Sequence, residues 1–426
     1  MTISVEAIFA LVFLFVILLI FLEVVHRTLA ALIGAFLAAY FGIVYRVFGY
    51  EEMLTFIDFR LLIFVVGIYI IVEVMDRAGV FHFLALSILN MVGANPKRLM
   101  IIFPLITILI SALLSNIAVM MIVGALTMAV AKRIKLDPLP YLISESIAAN
   151  VGGLMLIISS IPTMLVGMEA GFTFLGFLLI SVPTTLFLSL VTVLICLSIF
   201  RVESGEFKEL HFNPWSAVKD RGVFMRSIAI FVLTLILFMF CDRLGLGMEA
   251  VAIGSAVVLL ALTNVDVEDI LSHLDWPTVF FFSGFFILVG GLEESGLLRL
   301  ISMHILQFTG GNPALLTLTI LWVGAILSGA VDNIPITLTL IPIIKGLIPQ
   351  VSVNPMVIWW SLLIGVTVGG NFTPISSPPG LVTMSILDRE GVSGYFYKFL
   401  KMNFIITIAQ LLAATIYTYA LLIVIG

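Results

Sequence analysis

Apolar runs of bilayer-spanning length alternate with short polar breaks along the whole chain. In the first half they fall at 6–23, 28–45 and 61–76, followed by a shorter segment at 81–92. Two apolar pieces at 99–114 and 117–131 then flank Ser115-Asn116, a long segment at 139–167 is broken by Gly152-Gly153, and a last run covers 173–200. The second half reads 223–241, 246–263, 278–293, 297–309, 314–331 with 334–349, 355–385, and 397–425. Most of these have the roughly 17 to 25 residues that a spanning helix needs. The first run has no basic region before it and no small-residue cleavage site, so it is expected to be a retained helix rather than a signal peptide.

The two halves are copies. Shifted by 217 positions, the chain matches itself without gaps from about 51 to 162. Gly67 falls on Gly284, Gly79 on Gly296, Asn95-Pro96 on Asn312-Pro313, and Asn116 on Asn333. Further along, Pro138 falls on Pro355, Gly152-Gly153 on Gly369-Gly370, Ser159-Ser160 on Ser376-Ser377, and Pro162 on Pro379. Leucine and phenylalanine coincide by chance in so apolar a chain. Asn, Pro and paired Gly at one fixed offset do not, and they define an internal repeat of 1–209 and 210–426.

The apolar pieces on either side of Asn116 and of Asn333 are only about fifteen residues each, too short to span. A polar pair sits where they meet. This pattern predicts re-entrant hairpins at about 99–131 and 314–349, whose non-helical tips are buried against protein rather than lipid. With the first hairpin entering and leaving on one side, Lys97-Arg98, Lys132-Arg133-Lys135, Arg201, Lys208, Lys219, Arg221, His26-Arg27, Arg389, Lys398 and Lys401 all share that side. The positive-inside rule makes it cytoplasmic, which places loop 201–222 inside and both termini outside. Five crossings and one hairpin per half is an odd number of crossings, so the copies are expected to be inverted. An all-α polytopic membrane protein with inverted repeats and discontinuous helices is the general plan of a secondary transporter.

Composition agrees with this and removes other classes. The chain is 62% hydrophobic and 11% charged, against roughly 25% charged in soluble domains. Cys196 and Cys241 do not form a disulfide framework, no basic cluster points to nucleic acid, and no GxxxxGK[ST] motif or soluble nucleotide domain is present. No cofactor is expected, and Na⁺ is the candidate coupling ion.

The candidate chemistry lies at the tips and the breaks. A half-helix begins directly after Ser115-Asn116 and after Asp332-Asn333, so free N–H groups and the positive dipole end point to the centre. An Asn amide both donates and accepts, which suits an anion or a cation. Gly152, Gly153, Gly369 and Gly370 permit close approach, and unwound carbonyls there can hold sodium. Ser159 and Ser376 extend the breaks, and Asn371 and Thr373 make the second one richer in polar groups. Asp332 has Ser115 as its counterpart and is the expected coupling-ion or proton site. Glu145, within a span, is the second such candidate or the partner of a basic group. Glu73, Asp76, Glu293 and Glu294 lie near helix ends. The solute site is thus assigned to Ser115, Asn116, Asn333, Gly153, Gly370, Asn371 and Thr373. The ion site is assigned to Asp332, Asn116, Asn333, Gly152, Gly369, Glu145, Ser159 and Ser376.

At Asp332-Asn333-Ile334-Pro335 and Val368-Gly369-Gly370-Asn371-Phe372-Thr373-Pro374-Ile375 the chain resembles the ion transporter superfamily, over almost its full length. That superfamily includes arsenite permeases, NhaD-type sodium/proton antiporters, citrate and dicarboxylate symporters and the melanosomal P protein, and the arsenite-permease and NhaD-like branch is nearest. The resemblance implies scaffold and transport domains, elevator-type movement and a homodimer. It also implies functional roles for Asn116, Asn333, Asp332, Gly152, Gly153, Gly369, Gly370 and Asn371. The chain departs from the arsenite-permease pattern at the first tip, which is Ser-Asn rather than Asp-Asn, and after the first Gly-Gly, where Leu154 to Ile158 replace polar residues. The expected activity is secondary transport of a small anion or arsenite-like solute with Na⁺ or H⁺. The alternatives are a Na⁺/H⁺ antiporter and an uncoupled channel or non-transporting scaffold.

Overall fold

A computed structural model describes residues 4–22, 24–92, 95–200 and 212–426, and these form twenty α-helices and two short 3-10 turns. Arg201 and Lys208 lie outside the described residues. The first ten helices are α1 (Val5–Phe21), α2 (Arg27–Val44), α3 (Tyr50–Thr55), α4 (Phe59–Arg77), α5 (Val80–Val92), α6 (Pro96–Ser111), α7 (Asn116–Ile134), α8 (Leu139–Gly152), α9 (Ile161–Glu169) and α10 (Phe174–Ile199). The second ten are α11 (Arg221–Leu244), α12 (Met248–Thr263), α13 (Val267–Ser272), α14 (Trp276–Glu294), α15 (Leu297–Thr309), α16 (Pro313–Ala330), α17 (Asn333–Leu347), α18 (Pro355–Gly369), α19 (Pro378–Arg389) and α20 (Tyr395–Ile425). Helices α13, α14 and α15 begin and end at the repeat offset from α3, α4 and α5. Helices α16, α17 and α19 begin at the same offset from α6, α7 and α9.

The coincident residues explain these matched boundaries. Asn95 and Asn312 cap α6 and α16: each side-chain oxygen accepts from two backbone N–H groups, at 3.0 and 3.2 Å and at 3.0 and 3.1 Å. A proline then takes the first helical position, where its missing N–H costs nothing. Gly79 and Gly296 turn the chain into α5 and α15 with φ of +82° in both, a conformation that a side chain resists.

Packing follows the same correspondence. Helix α4 lies on α12 and α14 lies on α2, α6 packs on α8 and α16 on α18, while α7 meets α19 and α17 meets α9. A Cβ at Gly67 would stand 2.7 Å from the Ala252 carbonyl carbon, and one at Gly284 would stand 3.0 Å from that of Ala31. The glycines of α4 and α14 thus set both crossings at backbone contact.

Among the described residues eight helices are long and apolar enough to cross a membrane, and five shorter apolar helices accompany them. Helix α10 exposes Leu179, Leu186, Leu190 and Leu194, and α20 exposes Leu412, Ile416 and Ile423. Meanwhile Glu145, Asn150, Thr192 and Gln410 are fully buried. Apolar outside and polar inside is the arrangement a bilayer selects, and the chain is a multi-pass membrane protein. Around the two tips the helices differ from the expected half-helices of about fifteen residues. Helix α17 has 15 residues and α6 has 16, but α16 and α7 reach 18 and 19. Apolar length alone did not register the turns that extend into the polar flanks, such as Lys132 and Arg133.

Candidate functional site

The starts of α7 and α17 open onto one cavity of about 190 Å³. Ser115 caps α7, accepting from the Ala118 N–H at 3.4 Å, and Asp332 caps α17, accepting from the Ile334 N–H at 3.2 Å. The first turns of α7 and α17 therefore present their N-terminal ends at the same space. Its wall includes Ser115, Asn116, Ser159, Ser160, Asn333 and Pro378. Asn333 is only 5% exposed, and among the described residues its side-chain amide makes no hydrogen bond, its backbone carbonyl accepting from Thr337. A nearly buried amide without a protein partner is uncommon, and its polar ends are available to water, an ion or a solute.

Asn116 is differently placed. Its oxygen accepts from the Ser111 hydroxyl at 2.9 Å and its nitrogen donates to Asn150 Oδ1 at 3.0 Å. Asn150 in turn donates to Asn371 Oδ1 at 2.7 Å and to Ser377 Oγ at 2.8 Å. Asn371 donates to Gln410 Oε1 at 3.3 Å, and Gln410 to Thr192 Oγ1 at 2.7 Å. Asn371 thus stands two hydrogen bonds behind the cavity wall, in a polar chain that joins the start of α7 to both breaks. Sequence reasoning missed Asn150 and Gln410, because their positions at the repeat offset hold Thr367 and Val193 and give no coincidence. The available signal was an amide inside an apolar run.

The glycine pairs sit at the ends of α8 and α18 with ordinary helical φ, −60° at Gly153 and −59° at Gly370. Close approach is what they provide. A Cβ on Gly152 would lie 2.7 Å from the Ile108 carbonyl oxygen, and one on Gly369 2.2 Å from that of Ala325. The Gly152 and Gly369 carbonyls accept from the Met155 and Phe372 N–H groups, at 3.0 and 2.9 Å. Ser376 donates to the Gly370 carbonyl at 3.0 Å, and Thr373 caps Ser376 through its hydroxyl at 3.1 Å. Ser159 donates to the Ala112 carbonyl at 3.0 Å, tying the first break to the α6–α7 link.

Asp332 faces a cation that the charge count had assigned to a cytoplasmic loop. Arg27, the first residue of α2, places Nη1 3.6 Å from Asp332 Oδ2 and lines the cavity. It is held by Thr278 at 3.3 Å, which itself donates to Asp275 at 2.5 Å. Glu145 lies away from the cavity wall and accepts from Thr127 at 2.5 Å; its second oxygen has no partner among the described residues.

A second cavity of about 250 Å³ has Phe56, Asp58, Phe286, Val289, Gly290 and Glu293 in its wall. The repeat pairs these positions with His273, Asp275, Tyr69, Val72, Glu73 and Asp76, all in the wall of the first. An ion pair of Lys345 on α17 with Glu169 at the end of α9 borders the second cavity.

Paired polar helix starts around a shared cavity in a multi-pass helical chain can hold a small solute. Residues 17–365 match the model of the family described as citrate transporter, and the chain belongs to that family. It is a membrane transporter and not an enzyme. A transporter of Mycobacterium tuberculosis is 31% identical over 85% of this chain and 86% of its own length. The mouse P protein is 25% identical over 91% of this chain, which corresponds to 56% of the P protein. Among solved structures, Neisseria gonorrhoeae MtrF, from a class of antimetabolite efflux pumps, superposes with a TM-score of 0.63. That match covers 91% of this chain and 85% of MtrF at 14% identity, a likeness of fold.

Proposed function

We propose that the chain is a secondary active transporter of a small anion, of the carboxylate or arsenite-like class, coupled to Na⁺ or H⁺. The observation that carries this reading is the cavity into which Asn116 and Asn333 both open, with Arg27 in its wall. Two helix N-termini, the unengaged Asn333 amide and a guanidinium favour negative oxygen. The second cavity supports alternating access. Read as inverted copies, the two halves would have their repeat-related cavities on opposite membrane faces, the first lined by the starts of α7 and α17 and the second, taken as the closed side, lined by α9 and α17. An elevator-type shift of the tip-bearing helices would exchange the two.

In this reading the Glu169–Lys345 pair latches the closed side. Changing Lys345 to Ala is expected to raise thiol labelling of a cysteine placed at Thr55 and lower that of one placed at Leu274. Unchanged labelling at both sites would remove the latch.

The decisive assay is uptake of labelled citrate into proteoliposomes under an imposed Na⁺ or pH gradient. Gradient-driven uptake supports the symporter. One observation favours a second reading: Glu73, Asp76 and Asp275 also line the cavity, which suits a cation. Sodium-driven proton movement without any anion would support that Na⁺/H⁺ antiporter. Asp332 is assigned to the coupling ion, with Arg27 as the cation that competes for its carboxylate. Asp332→Asn is expected to abolish gradient dependence while leaving folded protein, and unchanged coupling would return Asp332 to a purely structural capping role.

A further inference from the structure

The polar chain behind Asn116 has two self-consistent directions. As the distances stand, Ser111 donates to Asn116, Asn116 to Asn150, Asn150 to Asn371 and Ser377, Asn371 to Gln410, and Gln410 to Thr192. Thr192 is then free to give its one proton to the Leu188 carbonyl at 2.6 Å. The cost falls on Ser111, whose single proton faces two acceptors, Asn116 Oδ1 at 2.9 Å and the Ala149 carbonyl at 2.6 Å.

Turn every amide over and the pattern reverses. Thr192 donates to Gln410, Gln410 to Asn371, Asn371 and Ser377 to Asn150, Asn150 to Asn116, and Asn116 to Ser111. Ser111 now serves Ala149 alone, and the conflict moves to Thr192, which must choose between Gln410 and Leu188. An amide's oxygen and NH₂ ends are nearly the same size, so both directions fill the same space. Asn150, Asn371, Thr192 and Gln410 are all buried, so no amide can turn alone without leaving a like pair facing each other, and the chain reverses as a unit. Among the described residues Asn116 is the member of this chain that lines the cavity. Reversal exchanges the positions of its oxygen and its NH₂ group.

We propose that Asn150 and Gln410 are positioning residues of the solute site: through this reversible chain they set which end of the Asn116 amide meets the solute, and couple that choice to Thr192. The chain is a claim about the folded protein; its consequence for a solute rests on the transport reading above.

The test is a double-mutant cycle between the two ends, read as unfolding midpoints of the purified full chain in detergent. Asn116→Ala and Thr192→Val are expected to lower the midpoint singly, and together by no more than the larger single shift. In an Asn150→Leu background the two shifts should become additive. Thr192→Ser, which keeps the hydroxyl, should behave as wild type, and Asn116→Ser replaces Asn116→Ala if the latter gives no folded protein. In proteoliposomes whose wild type carries citrate, Thr192→Val should raise KM about tenfold with Vmax retained, an effect at a distance that a local packing role would not produce. Additive shifts in the wild-type background, or an unchanged KM, overturn the proposal. A wild type that carries no citrate counts against citrate as the solute and leaves the unfolding cycle to decide the chain.

Discussion

Gly369→Ala is expected to abolish transport and to destabilise the fold by about 3 kcal/mol or more, the upper end of overpacking costs. The added methyl would stand 2.2 Å from the Ala325 carbonyl oxygen, 2.5 Å from its Cα and 2.7 Å from its carbonyl carbon. These are backbone atoms of α16, and they cannot rotate away as a side chain would. One turn earlier, a Cβ added to Gly365 would stand as close to the Leu321 carbonyl oxygen, at 2.3 Å, so the crossing has no slack on that side. Pushing α18 off α16 also moves the break that follows, and with it Asn371, which must stay within hydrogen-bonding reach of Asn150. The control is the neighbouring residue. Gly370→Ala meets nothing nearer than 3.5 Å at a helical φ of −59°, and is expected to remain within about 0.5 kcal/mol of wild type. Thermal unfolding of the two variants side by side checks this, and a Gly369→Ala midpoint equal to that of Gly370→Ala would mean that the crossing is looser than described.

That contrast shows how far the sequence reading reached. Coincidence at the repeat offset located the paired glycines, but could not separate Gly369, which sets a helix crossing, from Gly370, which caps one. Both look the same in a string of letters, and only the neighbouring backbone distinguishes them. Asn95-Pro96 and Asn312-Pro313 stood out equally well and proved to be helix caps. The starts of α7 and α17 were legible because a polar pair interrupts an apolar run twice at the same offset. Asn150 and Gln410 were passed over because their chemistry depends on asymmetry between the halves, to which a search for coincidence is blind. The pairing of Arg27 with Asp332 was illegible for a different reason. Counting charges by loop says nothing of a charge's partner, and it is α2 packed on α14 that carries Arg27 to Asp332, in the other half of the chain. Long-range packing of this kind has no local signature.

Asn333→Ala should separate solute binding from folding more cleanly than any other substitution. Its side-chain amide has no hydrogen-bond partner among the described residues, so removing it orphans no donor or acceptor, and the unfolding midpoint is expected to stay close to wild type. The loss falls on the solute. A hydrogen bond from an amide to a charged oxygen is worth about 1.5–3 kcal/mol, which corresponds to a rise in KM of about 10- to 150-fold. Asn116→Ala makes the opposite comparison. It strips Asn150 Oδ1 of the donor at 3.0 Å, and an unmet buried acceptor costs about 1–3 kcal/mol, so stability and transport should fall together. Measuring KM for citrate and the unfolding midpoint for both variants places each on two axes. Asn333→Ala belongs on the KM axis alone, and Asn116→Ala on the diagonal. If Asn333→Ala instead loses stability and keeps its KM, the amide is structural and the solute meets the cavity elsewhere, with Arg27 and the Ser115 hydroxyl the next groups to test. The two asparagines are equivalent by position in the repeat, but among the described residues only the Asn116 side chain is tied into the protein's own hydrogen bonds. On the proposed reading, that inequality would let Asn333 bind and release a solute while Asn116 reports on the chain behind it.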